Sequence, residues 1–328
     1  MSRKIIFSGI KPTGNLHIGN YIGAMKQWIE LQKNYDCIYS IVDLHAITIP
    51  QNPKILKEKI RELTALYLAC GVNPDKSLIF VQSHNPDHAV LAWILDCVAS
   101  MGQMQRMTQY KSKSKELKGK VSVGLFNYPA LMAADILLYQ TDLVPVGDDQ
   151  VQHVELTRDL ARRFNSRFGK VFVIPEAKVM KMGARIMSLK YSDKKMSKSD
   201  EDKDGTIDLL DSADEIKRKI KIATTDSGKE IVFREDKPAI SNLLTIYSHV
   251  SGLTVKKLEE RYRGEGYRKF KEDLDEVVIE FLYPIQKKYH QIRQNKDYLD
   301  KILSTGLKKA KKISQKTLGN VYRAVGLG

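Results

Sequence analysis

Two short segments carry residues suited to handling phosphates. Pro12-Thr13-Gly14-Asn15-Leu16-His17-Ile18-Gly19-Asn20 offers small residues, which let a backbone approach an anion, ahead of a helix start whose free N–H groups attract one. His17 can donate to phosphate oxygens, and Asn20 can cap the helix or reach a nucleotide. In isolation the same string reads first as an ordinary strand-to-helix turn. The second segment, Lys195-Met196-Ser197-Lys198-Ser199, is entered through Tyr191-Ser192-Asp193-Lys194 and followed by Asp200-Glu201-Asp202. Its lysines form a flexible cationic clamp for a triphosphate, suited to the charge that grows on a leaving pyrophosphate. On the lysines alone, a solvated loop is the plainer reading.

These segments need a scaffold that turns them towards one ligand. Lys4 to Ser8 predicts a first strand, and the turn holding Gly9, Pro12 and Gly14 leads to a helix starting near His17. Cys37 to Val42 is a largely apolar run, as in a strand covered on both faces. From Pro53 to Cys70, Ile55, Leu56, Ile60, Leu63, Leu66 and Tyr67 share one helical face, and Gly71 supplies the stop. Leu78 to Val81 predicts a third strand and Ala89 to Met101 a helix, with later strands at Leu143 to Val146 and Val171 to Ile174. This alternation predicts an α/β fold, a Rossmann-type doubly wound parallel sheet that binds ligands outside the carboxyl ends of its strands.

From about Asp208 onward helical periodicity takes over, which predicts a smaller C-terminal helical domain. The expected division is 1–207 for the catalytic half including the lysine segment, 208–300 for the helical domain, and 301–328 for a basic C-terminal helix. That last stretch carries Lys301, Lys308, Lys309, Lys311, Lys312, Lys316 and Arg323 with no acidic residue. It reads as a solvated amphipathic face, with a direct RNA contact as the alternative.

The 328 residues are 42% hydrophobic, enough to bury a substantial core. Lysine and arginine number 54 against 39 acidic residues, and the resulting charge of +15 suits a polyanionic partner such as nucleic acid. Cys37, Cys70 and Cys97 are too few and too far apart for a paired disulfide framework or a CxxC metal knuckle, so they are expected as buried thiols in a reducing compartment. No signal-peptide apolar region follows Met1, and no segment approaches the roughly 20 apolar residues that cross a bilayer. The expectation is a cytoplasmic protein without membrane contact.

The Lys195 to Ser199 string is identical to the KMSKS signature of class I aminoacyl-tRNA synthetases, and His17-Ile18-Gly19-Asn20 resembles their HIGH signature with Asn in the last place. Further strings extend the resemblance over nearly the whole chain, to the bacterial tryptophanyl branch of that class. They are Ile6 to Ile10, Asn20 to Ala24, Asp43 to Thr48, Tyr128-Pro129 with Met132 to Leu137, and Gly147 to Gln150 with Gln152-His153. The resemblance implies an indole pocket lined by Phe7, Gly9, Tyr128, Met132, Asp135, Val144 and Val146, with His45 and Gln150 nearer the ammonium or carboxylate end. Asp135 suits that role physically, because an indole offers one polar atom, an N–H donor, and a carboxylate can accept it. Asp135 is placed on a helix beginning at Pro129, one turn beyond Met132. A helix charge favoured by the macrodipole is the alternative for Asp135, and core packing is the alternative for Met132, Val144 and Val146.

The implied reaction has two steps. The tryptophan carboxylate attacks the α-phosphate of ATP in line, and the terminal ribose of tRNA(Trp) then takes the aminoacyl group from the adenylate. The attacking carboxylate is already ionised, so catalysis is expected to be positioning plus charge stabilisation. Lys11, Pro12, Thr13, Gly19 and Asn20 are expected around the phosphates and adenosine, with Gly147 and Asp149 at the ribose, Asp148 also among the ATP-binding residues, and Ile186 at the adenine. Lys195 and Lys198, within the ATP-binding string that includes Met196, Ser197 and Ser199, would neutralise pyrophosphate alongside Mg²⁺ held mainly by phosphate oxygens and water. Lys111 and Lys113 match lysines that approach the phosphates in this family, although the run to Lys120 also suits a mobile loop. No dedicated protein metal site is expected. Lys11 stands where many relatives carry glutamine, and His17 where some carry threonine. The resemblance also implies a homodimer. A tyrosyl enzyme, a small nucleotidyltransferase and a noncatalytic RNA-binding paralogue are the competing readings.

Overall fold

The computed structural model describes residues 3–111, 121–179, 185–198 and 202–328. Five strands, β1 (Ile5–Ile10), β2 (Asp36–Ile41), β3 (Ser77–Val81), β4 (Leu143–Val146) and β5 (Glu176–Val179), form one sheet in the order β3-β2-β1-β4-β5. Every pairing is parallel, with Ile5 opposite Asp36 and Ile10 opposite Ile41 in the longest register. The parallel order follows from the long helical crossovers, and burial on both faces explains why β2 is buried from Cys37 to Ile41 without polar alternation. Chain order reverses between β1 and β4, so the carboxyl ends of those strands open a crevice.

The Pro53–Ala69 helix buries Leu63, Leu66 and Tyr67 of the apolar face read from the sequence and half-buries Leu56 and Ile60, whereas Ile55 in its first turn is exposed. Asn52 caps it by accepting from the Lys54 and Ile55 amides, and Gly71 turns the chain away at φ +110°. Other boundaries move. Residues 171–174 form no strand, because side chains capture their backbone: Asn165 Oδ1 accepts from Val171 N and Phe172 N, and Gln140 Oε1 accepts from Val173 N. Phe172 instead packs on Phe164 in the core, and the sheet is extended later by Glu176–Val179. The helix expected to begin at Pro129 begins at Val123, where Ser122 Oγ accepts from Leu125 N, and Pro129 sits inside it. The helix expected to reach Met101 stops at Asp96, and a new one, capped by Ser100, spans Met101–Gln105. Cys37 and Cys70 are buried as expected, but Cys97, at the end of the Asp87–Asp96 helix, is exposed.

Beyond residue 208 the described chain is helical. Leu274, Leu282 and Ile285 of the Tyr267–Gln294 helix share one apolar core with Leu63 and Leu66 of the Pro53–Ala69 helix. The last helix, Lys296–Val325, runs through residue 300 and closes the outer edge of the sheet. Its Leu299, Ile302 and Leu303 join the core on one side of the sheet, whereas Ala310, Leu318 and Val321 join the core on the other. Gly306 makes this crossing possible, since a Cβ there would lie 2.0 Å from the Ile79 carbonyl oxygen of β3. The helix thereby shields an open strand edge. Among the described residues no helix is long and apolar enough to cross a membrane.

Candidate active site

At the carboxyl ends of β1 and β4 lies a cavity of about 340 Å³. Its walls include Phe7, Gly9, His45, Tyr128, Met132, Asp135, Val144, Val146 and Gln150, which are all the residues expected around an indole substrate. Gly9 is required by its surroundings: a Cβ would meet Val42 Cγ1 at 2.8 Å and the Ser40 carbonyl oxygen at 2.9 Å.

Asp135 is 1% exposed and projects from the Val123–Leu137 helix into a cluster of donors. Its Oδ1 accepts from Gln82 Nε2 at 2.6 Å and from His88 Nδ1 at 2.6 Å, while Oδ2 accepts from His45 Nε2 at 2.8 Å. Burial opposes its ionisation, but the hydrogen bonds from His45 and His88 outweigh burial and bring the carboxyl down to about 2. An ionised carboxylate only accepts, so each facing nitrogen must be the donor. Oδ1 is saturated, and one acceptor position remains on Oδ2. His45, expected near the ammonium or carboxylate end, stands instead at the Asp135 end. Gln150 donates from Nε2 to Asp149 Oδ2 at 2.9 Å, at the rim towards the second cavity.

That second cavity, of about 200 Å³, shares Ser8, Gly9, Ile10, Pro145, Val146 and Gly147 with the first. It is lined further by His17, Gly19, Asn20, Asp149, Ile186, Lys195 and Met196. Lys11 and Lys198 face the first cavity, so cations stand on either side of the shared wall. Lys198 Nζ donates to the Lys11 carbonyl oxygen at 3.0 Å. Gly14 adopts φ +63°, and a Cβ would lie 2.4 Å from the Lys198 carbonyl oxygen, so the lysine segment rests directly on the signature turn.

Short backbone pairings hold this juxtaposition. Ile18 N donates to Ile207 O and Leu209 N to Leu16 O, both at 2.8 Å. Met196 N donates to Ile186 O, and Asn242 of the helical half accepts from Met187 N and donates to Met187 O. Asn15 donates to Asp208 Oδ2 at 2.6 Å, and Asn20 Oδ1 accepts from His17 N.

His17 is buried, and its Nδ1 has no hydrogen-bond partner among the described residues. Burial, followed by the charges of Lys198, Lys195 and Lys203, lowers its pKa to about 3. At neutral pH it is therefore an uncharged imidazole with donor capacity, not a cation. Burial, then the charges of Lys11 and Lys59, pushes the Lys198 ammonium down to about 7. A phosphate arriving there would restore its charge.

Several expected residues stand apart. Pro12 lies with Lys11, Gly14 and Lys198 around a small hollow beside the site. Thr13, Asp148 and Ser197 line neither main cavity, and Lys111 is exposed outside both. Lys113 and Ser199 lie outside the described residues. Gln82 and His88 were not anticipated. The signal was the polar run Gln82-Ser83-His84-Asn85 at the carboxyl end of β3, where such sheets place ligands. Among the described residues no group of His, Cys, Asp and Glu could hold a metal ion.

A parallel sheet that brings a histidine turn and a lysine loop together across its switch point is the architecture of the class I aminoacyl-tRNA synthetases. The family model for "tRNA synthetases class I (W and Y)" matches residues 2–283, and the chain belongs to that family. It is 54% identical over 324 residues to the tryptophan–tRNA ligase of Bacillus anthracis, covering 98% of each chain. The tryptophanyl-tRNA synthetase of Mycoplasma pneumoniae superposes with a TM-score of 0.90 at 37% identity, covering 100% of this chain and 99% of that one. The Campylobacter jejuni enzyme, solved with ADP and tryptophan, gives 0.86 at 35% identity, covering 98% of this chain and 100% of its own.

Proposed function

We propose that this chain is a tryptophan–tRNA ligase that forms tryptophanyl-adenylate from L-tryptophan and ATP and transfers the aminoacyl group to tRNA(Trp). The single observation that carries the substrate is the remaining acceptor position on buried, ionised Asp135, at the wall of an otherwise largely apolar cavity. An indole N–H completes that carboxylate. A phenyl ring of similar bulk leaves it unsatisfied, whereas a tyrosine hydroxyl is a donor too, so ATP–pyrophosphate exchange decides between tryptophan and tyrosine.

In this reading Gly9 lines the wall, its Cβ position taken up by Val42 and the Ser40 carbonyl, and Phe7, Met132, Val144 and Val146 hold the indole of the substrate. Its carboxylate then points across the shared wall to the α-phosphate. His17, Gly19 and Asn20 hold phosphates and ribose, Asp149 and Gly147 the ribose hydroxyls, and Ile186 the adenine. Lys195 and Lys198 stabilise the departing pyrophosphate from opposite sides, aided by Lys11. Mg²⁺ would enter with ATP, held mainly by phosphate oxygens and water, which suits a site rich in lysine.

We assign residues 1–207 to catalysis and 208–300 to anticodon binding, with the basic stretch from Lys301 onward carried mostly by the Lys296–Val325 helix. The protein acts in the cytoplasm as a homodimer, a reading supported by exposed Trp93, Met101 and Val123 on neighbouring elements of the catalytic half. ATP–pyrophosphate exchange with each standard amino acid in turn tests the reaction and its substrate together. Exchange with tryptophan alone supports the assignment; exchange with tyrosine, or none despite tRNA binding, overturns it.

A further inference from the structure

The donors on Asp135 do not end at its neighbours. His88 Nε2 lies 2.8 Å from the Tyr139 hydroxyl, which also accepts from Asn85 Nδ2 at 3.2 Å. The second hydrogen of that amide goes to Ser314 Oγ at 3.0 Å, and Ser314 Oγ donates to Asp87 Oδ2 at 2.6 Å. Asn85, His88, Tyr139 and Ser314 are each 0% exposed. Ser314 belongs to the C-terminal helix, 229 residues from Asn85 in sequence.

Directions along this chain are determined by its ends. Asp87 accepts the Ser314 hydrogen, so Ser314 must accept from Asn85. Tyr139 accepts from Asn85 and has its own hydrogen left for His88 Nε2. His88 then carries its proton on Nδ1 and donates it to Asp135. Every donor in the chain meets an acceptor, and a fully satisfied buried network has one arrangement.

We infer that His88, Tyr139 and Asn85, anchored by Ser314 of the C-terminal helix, are positioning residues that fix how Asp135 presents its free acceptor to tryptophan. The inference rests on the reading of Asp135 as the indole acceptor. Its content is that tryptophan affinity depends on a hydroxyl in the last helix, which touches neither cavity. A purely structural tie between helix and sheet predicts loss of stability instead, with no bias towards one substrate.

The test uses the full chain and steady-state exchange, with Asp135→Asn as the reference variant. Tyr139→Phe removes the donor to His88 Nε2 while keeping the ring. It is expected to raise the tryptophan KM about three- to tenfold, leaving the ATP KM unchanged. Ser314→Ala should move the tryptophan KM in the same direction by about twofold, and the double variant should not exceed Tyr139→Phe alone. Nitrogen-15 spectra of labelled histidine should show His88 as the Nδ1–H form held by Asp135 in both proteins, with the Nε2 resonance shifted in Tyr139→Phe because its hydrogen bond is lost. If Asp135→Asn raises the tryptophan KM but Tyr139→Phe and Ser314→Ala do not, or if both KM values rise together, the inference is overturned and the role of Asp135 stands. If Asp135→Asn leaves the tryptophan KM unchanged, the underlying reading fails first.

Discussion

His45 Nε2 and Asp135 Oδ2 lie 2.8 Å apart, and both side chains border the larger cavity. The carboxylate is thus held from the protein side by His45, His88 and Gln82 while one acceptor position stays open to a ligand. Removing it strands every one of those donors. Asp135→Ala should therefore lower folding stability by roughly 3–5 kcal/mol, the usual range when one partner of a buried charged network is deleted. Urea denaturation gives the number, and an unchanged midpoint would contradict the bonded arrangement.

Lys195 and Lys198 differ in setting, since Lys195 is exposed and Lys198 is half-buried against Lys11. Lys195 is free to follow charge as it moves onto pyrophosphate. Lys195→Ala should slow adenylate formation roughly 100-fold or more, as expected for loss of one donor that acts on developing charge. Tryptophan binding should change little. Pre-steady-state adenylate formation beside equilibrium tryptophan titration separates these effects, and equal losses in both would exclude a role confined to the transition state.

The strand-helix alternation and both signature segments were legible because their logic is local: hydrophobic period, turn residues and a lysine pair. The β4 run was found on the same basis. The run from Val171 to Ile174 was misleading because a distant Gln140 and the nearby Asn165 satisfy its amides, which no period reveals. Met132 and Asp135 were placed on the correct helix, although the start moved six residues upstream, from 129 to 123, because Pro129 is accommodated within it. His88, Gln82 and Ser314 could not be ranked from sequence. Their role comes from three-dimensional convergence on one carboxylate, and each residue type is equally common on a surface.

Gly306 sets a steric limit that sequence periodicity also hides. It lies within an apolar helix face, where alanine normally raises helix stability. Here the added Cβ would stand 2.0 Å from the Ile79 carbonyl oxygen, which is backbone and cannot swing aside. Gly306→Ala should reverse the propensity gain and destabilise by about 1–3 kcal/mol through overpacking. Thermal unfolding decides the sign; a raised Tm would mean that the helix does not press on the β3 edge.

The depressed Lys198 ammonium makes ATP use depend on pH near neutrality. With a pKa of about 7 in the free protein, Lys198 is charged below that pH and progressively neutral above it. ATP brings negative charge to this lysine and raises its pKa, so binding takes up a proton, and apparent affinity is greatest at the acidic side and falls as pH rises through 7. His17, held down to about 3, is already neutral throughout this window and adds no second limb. The ATP KM should increase about tenfold for each pH unit once Lys198 is mostly deprotonated, until the higher pKa of the complex is reached. Lys198→Arg keeps the cation at all these pH values and should flatten the rise, with the nucleotide's own titration cancelling between the two proteins. Lys11→Gln removes a neighbouring charge that depresses Lys198 and should move the limb to higher pH. A profile that coincides in the wild type and Lys198→Arg would remove Lys198 as the titrating group, and one left in place by Lys11→Gln would remove Lys11 as its neighbour of consequence.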